Sequence, residues 1–188
     1  MRKLIVFNHV SLDGYFTDSN GNMSFAQNPF PDAEWDAFVA GNAGGGGTLV
    51  FGRVTYELMA SFWPTPFAAE QMPDVAERMN NLPKVVFSRT MKEASWQNTK
   101  LVKNDMAGEV RKMKNEDGND MVIFGSGMIV SQLAQENLID EYQFVVNPVI
   151  LGKGRTMFEG IQEKLTLKLK STRPFGNGNV LLCYEPMA

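Results

Sequence analysis

Four short clusters of Gly, Ser, Arg and Thr carry the residue types from which phosphate sites are built. They are Ser11-Leu12-Asp13-Gly14, Gly52-Arg53-Val54-Thr55, Ser88-Arg89-Thr90 and Gly125-Ser126-Gly127, and each stands just after a short apolar run. A strand that ends in Gly or Ser at the start of a helix presents free backbone N–H groups to an anion. Gly52 permits close backbone approach, a helix opening there favours negative charge, and the Arg53 guanidinium can fork onto a phosphate. Ser88, Arg89 and Thr90 offer a hydroxyl, a guanidinium and a second hydroxyl, a set suited to a ribose phosphate. Gly125-Ser126-Gly127 lacks the third glycine of GxGxxG and is not the Rossmann fingerprint. Any one cluster is as well explained by a tight turn or a polar loop. Four in step with a strand–helix alternation point to a nucleotide-sized, multiply charged ligand lying across the strand ends.

The remaining reactive residues are few. Gly152-Lys153-Gly154-Arg155 is basic and flexible, reads by itself as a solvated loop, and lacks the spacing of a P-loop. Asp32, Glu34 and Asp36 share one helix start. Asp32 and Glu34 suit the helix N-terminus, while Asp36, beside Trp35 and near Phe38, is the carboxylate placed to hold a heteroaromatic substrate or relay a proton. His9 is the only histidine and Cys183 the only cysteine. A Ser-His-Asp or Cys-His mechanism would have to use His9, which has no recognisable nucleophile motif around it. No His-rich or Cys-rich metal site can be assembled, and Cys183 reads as a small core residue. Phosphate-binding loops without a nucleophile or a metal cluster suit chemistry supplied by a bound cofactor, and hydride transfer fits.

These residues need a scaffold of 188 residues, a length that predicts one domain over residues 1–188. The net charge of −3, with Lys and Arg scattered, argues against nucleic acid as the main partner. One cysteine excludes an intrachain disulfide. The apolar run at residues 4–7 is too short for a signal peptide, and no stretch approaches the roughly 20 apolar residues of a membrane span. The chain reads as cytoplasmic.

Buried strands are predicted at residues 3–10, 48–51, 84–87, 120–124 and 141–146, with a weaker one at 99–102. Helices are predicted at 32–39, 54–61, 68–79, 106–115 and 128–136. Residues 11–23 read as a long loop and the Gly44–Gly47 run as a flexible connection. Leu165, Leu167 and Leu169 alternate with polar residues as in a half-exposed strand, Gly176-Asn177-Gly178-Asn179 is a hairpin turn, and residues 180–184 return. The order predicts an α/β sheet with an antiparallel edge.

With these segments in order, the chain resembles the dihydrofolate-reductase-like superfamily. It is most similar to the riboflavin-biosynthesis reductase domain and its small stand-alone relatives. The resemblance lies in residues 4–14 (LIVFNHVSLDG), 49–57 (LVFGRVTYE), 82–90 (LPKVVFSRT), 121–133 (MVIFGSGMIVSQL) and 138–158 (LIDEYQFVVNPVILGKGRTMF). It implies a dihydrofolate-reductase-like fold: a central mixed, mostly parallel sheet flanked by helices, with an antiparallel C-terminal hairpin and NADPH bound across the strand ends. Gly52, Arg53, Val54 and Thr55 match the turn that holds the cofactor phosphates. Ser88, Arg89 and the following Thr90 match the segment at the ribose 2′-phosphate, and Gly125, Ser126 and Gly127 the glycine-rich turn at the pyrophosphate. Met128 stands where some members carry a cofactor-contacting arginine, and Ser126 where dihydrofolate reductases usually carry glycine. Asp13 and Gly14 match the loop over nicotinamide and substrate; Gly152, Gly154 and Arg155 match a segment on the substrate side.

The resemblance thus implies an NADPH-dependent oxidoreductase acting on a small heteroaromatic or ribosyl-linked molecule, with Asp13 and Asp36 orienting substrate or relaying a proton. It also implies a homodimer. A deaminase segment has no counterpart here, so the bifunctional riboflavin enzyme is not expected. The alternative of another class is a non-catalytic nucleotide-binding or sensor protein of the same fold.

Overall fold

The structure is a computed structural model that describes residues 1–43 and 47–187. The expected Gly44–Gly47 connection therefore falls largely outside the described residues. Ten strands and six α-helices follow in the order β1 (Leu4–Ser11), β2 (Tyr15–Asp18), α1 (Ala33–Ala43), β3 (Thr48–Gly52), α2 (Arg53–Phe62), α3 (Pro66–Gln71), α4 (Pro73–Asn81), β4 (Lys84–Phe87), β5 (Thr99–Val102), α5 (Met106–Asn115), β6 (Met121–Phe124), α6 (Gly127–Gln135), β7 (Glu141–Asn147), β8 (Gly154–Thr156), β9 (Leu167–Pro174) and β10 (Val180–Pro186). A short 3-10 turn, Ser24–Ala26, precedes α1.

Eight strands form one sheet in the order β5-β4-β3-β6-β1-β7-β10-β9. The first six run parallel, and β10 pairs antiparallel with both β7 and β9. This is the expected mixed, mostly parallel sheet with a C-terminal hairpin. Its consequence for function is directional: all six parallel strands deliver their C-terminal ends to one edge, where open α/β sheets bind ligands. The central strands are buried on both faces, as their continuous apolar runs require. Val6, Val50, Val86, Met121, Ile123 and Val145 are essentially inaccessible.

Three expectations need correction. Residues 11–23 are not one long loop: β2 lies within them and pairs antiparallel with β8 in a separate ribbon. Each of these strands is only four or three residues long, and their partners lie far apart in sequence, so no local periodicity marks them. The helical stretch predicted at 68–79 is two helices. Pro73 disfavours helical geometry at the preceding residue, and Met72 sits at φ −141°, ψ 64° between α3 and α4. The outer strand β9 begins at Leu167 and extends to Pro174, continuing past the leucine alternation because its backbone pairs with β10 through Pro174. The predicted turn follows it, with Phe175 N–H donating to Asn179 O at 2.9 Å and Gly178 N–H to Phe175 O at 3.0 Å.

Candidate functional site

The turn from β3 into α2 is built for an open helix N-terminus. Gly52 is the N-cap of α2 and supplies no side-chain cap, unlike Thr65 before α3 and Asp105 before α5. The first-turn N–H groups of α2 therefore have no intrahelical or capping partner. A Cβ at Gly52 would approach Ile129 Cγ1 to 3.1 Å, so glycine also lets this turn pack on α6.

The turn from β6 into α6 is tied to the first by one side chain. Gly125 and Ser126 both adopt left-handed backbone, at φ 58° and 60°. That conformation is the one glycine adopts without penalty, and at Ser126 the backbone cost is offset by hydrogen bonds. Ser126 Oγ accepts from Gly52 N–H at 2.8 Å and lies 3.0 Å from Thr55 Oγ1. A Cβ at Gly125 would come within 2.9 Å of the same Thr55 hydroxyl. Ser126 is a stitch between the two turns rather than a free donor.

Beside these turns lies a cavity of about 610 Å³, within the usual range for ligand sites. Its lining brings together Gly52, Arg53, Val54, Thr55, Ser88, Arg89 and Met128 from the sequence-derived set. Three cations line it: Arg53, Arg89 and Lys103. Arg53 shares its guanidinium with exposed Glu57 at 2.9 Å, which leaves other N–H groups of the fork for a ligand. Ser88 Oγ accepts from Met91 N–H at 3.1 Å and Thr90 N–H at 3.3 Å, so it shapes its own loop as well as lining the cavity.

Lys103, Asp105, Phe87 and Gln132 also line the cavity, and the sequence reading missed them. A signal was present for Lys103: it follows the parallel strand β5 directly, where the strand-end logic applied to the other clusters holds equally. Asp105 sits in left-handed backbone at φ 48° and caps α5 by accepting from Gly108 N–H at 2.9 Å.

The other expected residues are placed differently. Thr90, Gly14, Gly125 and Gly127 lie outside the cavity lining. Gly127 takes up the packing of β2 on α6, since a Cβ there would meet Phe16 Cζ at 3.0 Å. Gly154 and Arg155 belong to β8, where Gly154 opposes Asp18 and Arg155 opposes Thr17. Asp13 is fully engaged as a latch. It accepts from Ser11 Oγ at 2.7 Å, Leu151 N–H at 3.1 Å and Gly152 N–H at 2.7 Å, joining the loop after β1 to the segment before β8. The Ser11 hydroxyl above all holds its carboxyl below the ordinary 3.8, which suits a fixed carboxylate and not a proton donor.

Asp36 needs a correction. It is exposed on the outer face of α1, while Trp35 and Phe38 turn inward onto Phe7 and Phe175. One residue along a helix rotates the side chain by about 100°, so adjacency to Trp35 places Asp36 away from it. The inward carboxylate is Asp32, which accepts from Glu34 N–H at 2.9 Å, Trp35 N–H at 3.1 Å and Asn177 N–H at 3.0 Å and pins α1 to the β9–β10 hairpin.

A second cavity, about 660 Å³, lies between the C-terminal end of α6 and residues 162–167. None of the four phosphate-type clusters reaches it. Among the described residues there is no group of three or more His, Cys, Asp or Glu that could hold a metal ion, and no helix is long and apolar enough to cross a membrane.

Residues 2–181 match the family model of the RibD C-terminal domain, and the chain belongs to that family. It is 26% identical over 184 residues to the uncharacterised protein YyaP of Bacillus subtilis (strain 168), covering 98% of this chain and 95% of that one. Among solved structures, a Shewanella sp. PV-4 protein superposes with a TM-score of 0.75 at 24% identity over 99% of both chains. The diaminohydroxyphosphoribosylaminopyrimidine deaminase/5-amino-6-(5-phosphoribosylamino)uracil reductase of Thermotoga maritima gives 0.67 at 14% identity, covering 99% of this chain and 57% of that one. Dihydrofolate reductase from Enterococcus faecalis, complexed with NADP(H), gives 0.65 at 15% identity, covering 99% and 97%. At these identities the structures establish a shared fold, that of the RibD reductase domain and dihydrofolate reductase.

Proposed function

We propose that this chain is a stand-alone NADPH-dependent reductase acting on a C=N or C=O bond of a small heteroaromatic or ribosyl-linked substrate. Candidates are molecules like those of the aminouracil and dihydrofolate reductases whose fold it shares. The observation that carries this reading is the cavity at the strand ends, where Arg53, Arg89 and Lys103 meet the uncapped N-terminus of α2. That donor set fits a dinucleotide bearing an additional phosphate: three cations and free helix N–H groups for phosphates, hydroxyls at Thr55 and Ser88, and apolar Val54 and Met128 beside them.

When bound, NADPH supplies the hydride. The chain's own residues bind and orient. Arg89 and Arg53 hold phosphate groups, Thr55 and Ser88 add neutral donors, and the Ser126 stitch keeps the two glycine turns at fixed separation. Asp13 keeps the loop after β1 closed against residues 151–152. A homodimer belongs to the same reading and is checked by sedimentation equilibrium.

The first test is titration of the purified protein with NADPH and with NADH, followed by nicotinamide fluorescence. Tight binding with NADPH preferred is expected. Binding of neither cofactor would overturn the proposal.

A further inference from the structure

We propose that His9 is a ligand-contacting, specificity-determining residue whose Nε2 lone pair accepts a hydrogen bond from an N–H or NH2 group of a planar heterocycle lying against Trp35. This rests on the reductase reading and concerns the substrate side of that site.

The argument begins with Asn147, only 1% exposed on β7 and opposite Ser11 of β1. Its Nδ2 donates to Val10 O and Val145 O, both at 3.1 Å. Those two bonds use both amide hydrogens, and reversing the amide would set Oδ1 against two carbonyl oxygens. His9 Nδ1 lies 3.3 Å from this Nδ2, which has no hydrogen left to give, and 3.4 Å from Oδ1, which accepts. The proton therefore belongs on His9 Nδ1, donated to Asn147 Oδ1, and the neutral ring carries its lone pair on Nε2.

Nε2 has no hydrogen-bond partner among the described residues and is not one of the sealed side-chain atoms. The sealed, unpaired side-chain atoms are Asn8 Oδ1, Asn177 Nδ2 and Asn179 Nδ2. The imidazole stands edge-on to Phe7 and Trp35, with ring centroids 5.9 and 5.8 Å away. Trp35 continues the aromatic wall to Phe38 and Phe175. His9 lies two residues before the end of β1, at the edge where the parallel strands end.

The charged groups on the surrounding elements are otherwise engaged. Asp32 is held by three backbone N–H groups, and Glu34 pairs with Arg173 of β9 at 2.7 Å. Asp13 is latched to residues 151–152, and Glu141 of β7 pairs with Lys170. Asp36 faces outward. Burial lowers the His9 pKa below 6.5, in keeping with a neutral ring at pH 7.

As the only histidine, His9 gives a single pair of imidazole ¹⁵N signals. The free protein is expected to show the Nδ1–H tautomer. Adding 5,6-diaminouracil to the NADPH-saturated protein is expected to shift the Nε2 signal and lower the titration midpoint, since a donor on the lone pair competes with protonation. His9→Phe is expected to weaken binding of this probe on the order of tenfold, and His9→Gln, which keeps an acceptor, to weaken it less. An Nε2–H tautomer in the free protein overturns the inference. So does a titration in which other signals move and His9 does not, or in which none moves. NADPH binding, read separately by nicotinamide fluorescence, reports on the reductase reading alone.

Discussion

Arg89 is the residue on which the cofactor reading turns most sharply. It lines the cavity at the end of β4 beside Ser88. A guanidinium on a phosphate contributes about 1.5–3 kcal/mol, so Arg89→Ala is expected to weaken NADPH binding roughly 10- to 100-fold while NADH is little changed. Fluorescence titrations with both cofactors measure this directly, and equal losses would place the 2′-phosphate elsewhere. Asp13 makes a prediction of another kind. Its folded pKa lies below 3.8, so the latch it forms is present above that value and weakens as pH falls through the lower folded value. Asp13→Asn replaces one acceptor oxygen with an NH2 group, which accepts from neither amide, so that Leu151 N–H and Gly152 N–H no longer each have a carboxylate oxygen. Hydrogen exchange at those two amides is expected to quicken at neutral pH without global unfolding, and its acid dependence to flatten.

Among the elements, the two glycine turns and the β2–β8 ribbon are where backbone conformation decides. Gly125 and Gly152 both have positive φ, at 58° and 72°, but differ in surroundings. A Cβ at Gly125 meets Thr55 at 2.9 and 3.1 Å, whereas one at Gly152 meets nothing within 4 Å. Gly152→Ala is expected to carry only the left-handed penalty of about 1–2 kcal/mol, and Gly125→Ala distinctly more, in urea unfolding. Ser126→Gly is the compensated case. It relieves left-handed backbone at a non-glycine residue and loses a hydrogen bond of roughly 0.5–1.5 kcal/mol to Gly52 N–H, so its midpoint is expected near wild type. The glycine turns were legible because an apolar run followed by Gly or Ser is a local signal. The ribbon was not: Gly154 opposes Asp18 only after the chain has folded back over more than a hundred residues.

At the scale of the whole molecule, one buried cation makes stability depend on pH in the alkaline range. Lys84 is 1% exposed, its Nζ donates to Asn80 O, Leu82 O and Gln97 O, and it lies 4.4 Å from the centre of the Trp96 ring. Burial lowers its pKa from 10.5 to about 8. Between those values the unfolded chain binds more protons than the folded one, so stability is expected to rise with pH across that window. Lys84→Met is expected to abolish the rise in urea unfolding measured from pH 8 to 10.5. The sequence by itself determined the order of the six parallel strands along the chain, the antiparallel hairpin and four clusters at the edge where strands end. Those features follow from local periodicity and turn chemistry, which survive without knowledge of partners. Only the tertiary structure decided which side chains reach the cavity. Lys103 enters it because β5 lies parallel to β4, whereas Asp36 lies on the exposed face of α1, whose inward side chains Trp35 and Phe38 pack on Phe7 and Phe175 and not on the cavity. The Asn147 amide that sets the His9 tautomer lies 138 residues away and reaches it only because β1 is paired directly with β7. Such contacts are absent from any local window, because their geometry exists only once the sheet has brought distant strands together.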